Sequence, residues 1–233
     1  GASIQEYVDV AKQLAPHGDG LELNLSCPHA KGLGMAMGQD PALVEEIVSS
    51  VKAAVDVPVV AKLTPNVTDI GVIAEAAENG GADAICAINT MGPEQYDSHG
   101  YPILSNQKGG ISGKGIMSVA LEGVSRIREA VNCPIIACGG ISGADDVRQF
   151  QQNGASIIGI GSALIGMTTE EIATYFQVLT MDLENQTEES ESLVRYDIDM
   201  EFRPVKLVKN ERITEDICVL TFDRKVEIQA GQF

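Results

Sequence analysis

Apolar residues first recur at helical spacing: Ile4, Tyr7, Val8, Ala11 and Leu14 share one face, Ser3 and Glu6 form an S-x-x-E capping box, and Pro16 closes the run. LELNLS (21–26) then reads as a short strand, and Asp40 with Pro41 opens a helix whose apolar face is Val44, Ile47, Val48, Val51 and Val55. Further strands are expected at PVVAKLTP (58–65), ADAICAIN (82–89), PIIACGG (134–140) and SIIGIGS (156–162). Helices are expected near 69–79, 117–130 and 144–152, with a last one from about Thr169. Strands apolar on both faces and separated by helices belong to a parallel sheet that is covered on both sides.

The pattern also echoes itself. NGGADAICAIN (79–89) resembles NGASIIGIG (153–161), and VPVVAKL (57–63) resembles CPIIACG (133–139), so a β-α-β-α unit recurs about every 74 residues. Such repetition favours a (β/α)8 TIM barrel over a doubly wound sheet. Five strands fall before residue 165, whereas a closed barrel has eight and typically ~250 residues. The expectation is therefore the C-terminal portion of a barrel with its first strands missing, residues 1–182, which leaves an open sheet edge suited to pairing or oligomerisation.

From residue 183 the character changes. The stretch 183–200 is acidic, polar and without period, and reads as a linker. PVKLVKNERI and DICVLTFD then look like antiparallel strands, so 201–233 is read as the start of a small β domain. The 33 acidic and 16 basic residues give a formal charge of −17, which argues against nucleic acid and anionic membranes as partners. No apolar run suits a membrane span or a signal peptide, and the expected location is cytoplasmic. Five cysteines without a CxxC pair, and only three histidines, suggest neither a disulfide framework nor a metal site.

In a parallel barrel, functional residues gather where strands end. Here Asn24, Ser26 and Cys27 end one strand, Lys62 sits inside the next, and Asn89 and Thr90 end the third. Gly139 and Gly140 end the fourth, Gly161 and Ser162 the fifth. Each has an ordinary structural reading. Lys62 could snorkel, Asn24 and Asn89 could bond neighbouring turns, and Cys27 could be an inert buried thiol. Their succession at five strand ends favours a site: planar amides suit the alternating NH and C=O edge of a pyrimidine or flavin, and an accessible thiol, with a reference pKa near ~8.5, can serve as acid or base. GGISGKG (109–115), GLGMAMG (32–38) and GIGSALIG (159–166) all miss the spacings of nucleotide-binding loops. The GG and GS pairs at late strand ends instead occupy the usual phosphate position of such barrels, shared by isomerases, aldolases and flavoenzymes.

NLSCPH with GLGMAMGQDP, then AKLTPNVTDI, GGADAICAINT, PILSNQKGGISG and ACGGI, together resemble the dihydroorotate dehydrogenase family over about residues 1–180. The nearest type is the NAD-linked one, in which a catalytic FMN subunit works with an electron-transfer subunit carrying FAD and a [2Fe-2S] cluster. The tail from Phe202 to Phe233 resembles the start of that subunit's ferredoxin-reductase-like barrel, as though the two were fused. The resemblance implies that Cys27 takes the C5 proton of dihydroorotate while FMN takes the C6 hydride, giving orotate in pyrimidine biosynthesis. It implies further that Asn24, Asn89 and Thr90 bind the pyrimidine, that Lys62 lies by the flavin N1/C2 edge, and that Gly113, Gly139, Gly140, Gly161 and Ser162 hold the ribityl phosphate. NAD is then the expected final acceptor. His29 and the SCPH and GLGMAMGQDP wording are also similar to dihydropyrimidine dehydrogenases, which act on uracil and thymine, so that substrate class stands as the alternative. A non-redox phosphosugar barrel and a non-enzymatic scaffold are remoter readings.

Overall fold

The computed structural model describes residues 3–25, 37–92, 96, 99–101, 109–185, 207–212 and 218–222. The chain opens with α1 (Ile4–Leu14), where the Ser3 side chain accepts a hydrogen bond from the Glu6 amide, followed by a 3-10 turn over Ala15–His17. Strand β1 is Leu21–Asn24, and Asp40 then caps α2 (Pro41–Lys52) by accepting from the amides of Ala42 and Leu43. The alternation continues through β2 (Val59–Lys62), α3 (Ile70–Asn79), β3 (Ala84–Ala87), α4 (Met117–Ala130), β4 (Ile135–Cys138), α5 (Ala144–Gln152), β5 (Ile157–Gly159) and α6 (Thr169–Glu184). All strands and helices expected up to residue 182 are present, with strands shorter at their ends than the apolar runs suggested. Helix α6 runs to Glu184, into the start of the stretch read as linker.

The five strands form one parallel sheet in sequential order, β1-β2-β3-β4-β5. Such order, with a helix in every crossover, is the winding of a (β/α)8 barrel and not of a doubly wound sheet, whose strand order reverses. Helices α1 to α4 pack side by side against one face, so among the described residues the covering predicted for both faces is found on one. The burial pattern agrees. Leu23, Leu25, Val59, Ala61, Leu63, Ile85, Ile135 and Ala137 lie in the core with Val44, Ile47 and Val48 of α2 and Val124 and Ile127 of α4. The residues between them, Glu22, Asn24, Val60, Lys62, Ile136 and Cys138, are less buried, and by the two-residue alternation of a strand they line the opposite, barrel-inner face.

Strands β6 (Leu207–Arg212) and β7 (Cys218–Phe222) form a separate antiparallel pair, as the tail's composition predicted. No helix among the described residues is long and apolar enough to cross a membrane, and they contain no cluster of three metal-ligating side chains.

Candidate active site at the strand ends

The inner face carries a polar row. Parallel register sets Asn24 beside Lys62 and Lys62 beside Cys86, while Cys138 stands on the next strand against Gly159, where any side chain would collide with its sulfur. Lys62 Nζ lies 3.1 Å from Glu22 Oε1, and the sulfurs of Cys86 and Cys138 are 3.9 Å apart. Desolvation works against the Lys62 ammonium, but the thiol pair and Glu22 more than offset it and hold its pKa above the ordinary lysine value. Accepting a hydrogen bond from Cys86 stabilises the Cys138 thiolate; with help from Lys62 this outweighs burial and brings Cys138 down to about 7. Cys86, as donor to Cys138 and more deeply buried, is pushed well up.

Beside this row the ends of β2 and β3 are cross-tied. Asn66 donates to Thr64 Oγ1 at 2.9 Å and to the Thr90 carbonyl at 3.3 Å, and its Oδ1 accepts from the Gly92 amide at 3.0 Å. Asn89 Oδ1 accepts from the Thr90 amide at 2.7 Å, a local turn bond of the kind its bland reading foresaw. Asn24 shares the inner face, and its carbonyl accepts from the Tyr7 hydroxyl at 2.9 Å. An isolated antiparallel bridge, Met91 with Ile111, returns the chain to the same place. Gly110 is required there, since a Cβ would overlap the Thr90 side chain. Cys27, Ser26 and His29 lie outside the described residues.

The glycines sort by cause. Gly113, Gly139 and Gly140 have φ of +87°, +123° and +78°, backbone that side chains rarely adopt. A Cβ on Gly139 would fall 2.8 Å from Ala120, so close packing on α4 also requires it. At Gly140 a Cβ would fall 2.9 Å from the Gly113 carbonyl oxygen, which brings the loops after β3 and β4 together, and Gly113 in turn faces Ser162. Gly161 opens onto empty space and precedes the 3-10 turn Ser162–Leu164. The structure thus gathers Gly113, Gly140 and Ser162 into one cradle of bare backbone, and sets Asn24 and Lys62 on one inner face.

Residues 1–176 match the family model described as dihydroorotate dehydrogenase. The chain belongs to the dihydroorotate dehydrogenase family. Within it, the chain is 48% identical over 179 residues to the dihydroorotate dehydrogenase B (NAD(+)) catalytic subunit of Methanocella arvoryzae, covering 76% of this chain and 58% of that protein. It is 48% identical over 165 residues to the subunit of the same name from Pyrococcus horikoshii, covering 70% and 54%. The chain thus spans little more than half the length of these curated relatives. The crystal structure of a dihydroorotate dehydrogenase from Eimeria tenella in complex with ferulenol superposes with a TM-score of 0.66 at 21% identity, covering 78% of this chain and 54% of that one, and supports the barrel fold.

Four further residues that single-position reading passed over stand beside the candidate site residues: Glu22, Asn66 and the Cys86–Cys138 pair. Glu22 alternates with leucines as any strand edge does, and the cysteines are 52 residues apart. Asn66 stands within the KLTPN motif, and Cys86 and Cys138 within GGADAICAINT and ACGGI, but no motif tells that the two sulfurs meet.

Proposed function

We propose that the protein oxidises dihydroorotate to orotate with FMN, as the catalytic part of an NAD-linked dihydroorotate dehydrogenase. The observation that carries this is the convergence, at the ends of successive parallel strands in a chain of this family, of a paired inner-face lysine and a glycine cradle. The cradle suits a phosphate: Gly140 approaches the Gly113 carbonyl too closely for any side chain, Gly161 faces open space, and Ser162 adds a hydroxyl. Lys62, kept charged by the thiol pair and Glu22, would lie against the flavin's pyrimidine edge and stabilise negative charge there. FMN, when bound, supplies the acceptor for the hydride leaving C6.

The remaining work belongs to side chains. Cys27 would take the C5 proton, which asks for a thiol poised to accept it near neutral pH and sheltered from water. Asn24, Asn89 and Thr90 would bind the pyrimidine, whose alternating NH and C=O edge suits planar amides. Gly113, Gly139, Gly140, Gly161 and Ser162 would form the phosphate site. Electrons would pass to an electron-transfer subunit or fused domain with FAD and [2Fe-2S], and then to NAD. The catalytic-subunit names of the relatives support a partner of that kind, and the antiparallel β6–β7 pair supports reading residues 201–233 as the start of a ferredoxin-reductase-like barrel, with 183–200 as linker and 1–182 as the flavin barrel. A cytoplasmic, oligomeric enzyme completes the proposal.

An anaerobic visible spectrum of the intact protein, before and after dihydroorotate and in parallel with dihydrouracil, tests it. Bleaching by dihydroorotate is expected. Bleaching by dihydrouracil alone would transfer the protein to the uracil and thymine class that the SCPH motif also resembles, and a preparation that cannot be loaded with FMN would refute the flavin reading.

A further inference from the structure

Asp146 is, with Thr64, one of two polar side chains buried among the described residues. A carboxylate withdrawn from water is costly unless its oxygens are satisfied, and those of Asp146 are. Its Oδ2 accepts from the Ser142 amide at 2.9 Å and the Ser142 hydroxyl at 3.0 Å, and its Oδ1 accepts from Lys114. Burial works to raise its pKa, but these donors override burial and keep it below the ordinary carboxylate range.

The placement of the partners gives the network a direction. Ser142 belongs to the loop after β4 that begins with Gly139 and Gly140, and its carbonyl accepts from the Tyr175 hydroxyl of α6 at 3.1 Å. Lys114 directly follows Gly113 in the loop after β3 and opens the 3-10 turn Lys114–Ile116. These loops meet where Gly140 lies against the Gly113 carbonyl. Asp146 therefore bonds to both loops that form the glycine cradle. Asp146 also lies in the first turn of α5, whose N-cap Gly143 offers no side chain, so the carboxylate serves the start of that helix as well as the two loops. Lys114 also neutralises the carboxylate, which would otherwise place an unpaired negative charge close to a bound phosphate.

We propose that Asp146 is a positioning residue for the phosphate site: through Ser142 and Lys114 it holds the 139–143 and 113–116 loops at the separation an FMN phosphate requires. This rests on the flavin reading above. It predicts that Asp146 matters to the phosphate and not to the isoalloxazine ring, a distinction that riboflavin, lacking the phosphate, makes measurable. Flavin-stripped intact protein would be titrated with FMN and with riboflavin while flavin fluorescence is followed. Asp146→Ala is expected to weaken FMN about tenfold or more and to change riboflavin affinity by less than about twofold, the scale of losing hydrogen bonds to a charged group. Ser142→Ala, which removes the hydroxyl bond to Asp146 and changes no charge, should show the same selectivity at smaller size; it carries the test if the Asp146 variant does not fold. Equal losses for both flavins would make the network a plain structural support and overturn the proposal, as would unchanged FMN binding. A wild-type protein that binds neither flavin refutes the flavin reading itself, and the assignment with it.

Discussion

A lysine on the inner face of a parallel sheet must be matched by charge or be expelled to solvent, and Lys62 is matched on both sides, by Glu22 on β1 and by the thiol pair on β3 and β4. The same arrangement lowers one thiol of its pair, and a thiol elsewhere gives the contrast. Cys138 should alkylate with iodoacetamide along a titration centred near pH 7, whereas Cys133, half-buried and beside the Glu78 carboxylate, should follow one centred near 11. Peptide mapping after labelling at a series of pH values reads both, and a Cys138 that stays unlabelled until pH 9 would contradict the Cys86 hydrogen bond and the help from Lys62 assigned to it. A third thiol, Cys27, is the base proposed above. Cys27→Ala should retain flavin yet lose about 10²–10⁴ in turnover, the usual cost of removing a general base; loss of flavin along with turnover would make Cys27 structural. Lys62 and Cys27 were legible one at a time because each breaks an apolar or strand-like run. Glu22 was not, because its meaning is the neighbour that sheet register gives it.

At the scale of elements, the internal echo has a concrete cause. Helices α3 and α5 end in the same turn: the amides of Ala82 and Ala155 reach back to the carbonyls of Ala77 and Phe150, those of Gly81 and Gly154 bond Glu78 and Gln151, and both glycines have positive φ, +92° and +98°. This is the Schellman arrangement, used twice to turn a helix directly into a strand. Helix starts were equally legible, since Ser3, Asp40 and Asp69 each accept from amides of the first turn, and capping depends on residues only a few positions apart. The loop after β2 was less so. Asn66 joins it to the loop after β3 by three side-chain bonds to Thr64, Thr90 and Gly92, and replacing it with alanine leaves half-buried groups without partners. Asn66→Ala should cost about 1–3 kcal/mol in denaturant unfolding. An unchanged midpoint would show that water replaces the amide without loss.

At the scale of the molecule, a charge of −17 sets a general field against any anion, so the proposed phosphate would have to be held by short-range means: backbone amides in a glycine cradle, with a lysine close at hand. Salt screens the distant repulsion more than these contacts. Binding energy of that kind should appear as stability. FMN at about 100 times its Kd should add about 2.7 kcal/mol and raise Tm by about 5–10 °C, measured by calorimetry on the intact protein with and without FMN. No shift would argue against a flavin site. The sequence by itself determined the helices, the strands and their alternation, because capping, hydrophobic period and glycine turns act between residues close along the chain. It also determined the family, through motifs such as NLSCPH and KLTPN. What only the tertiary structure decided is which of these residues meet. The sheet's sequential parallel order places Glu22, Lys62, Cys86 and Cys138 in one row, and the close approach of two glycine loops gives the buried Asp146 carboxylate something to hold. Those contacts join positions tens of residues apart, and their geometry comes from strand register and helix packing, which no local pattern encodes.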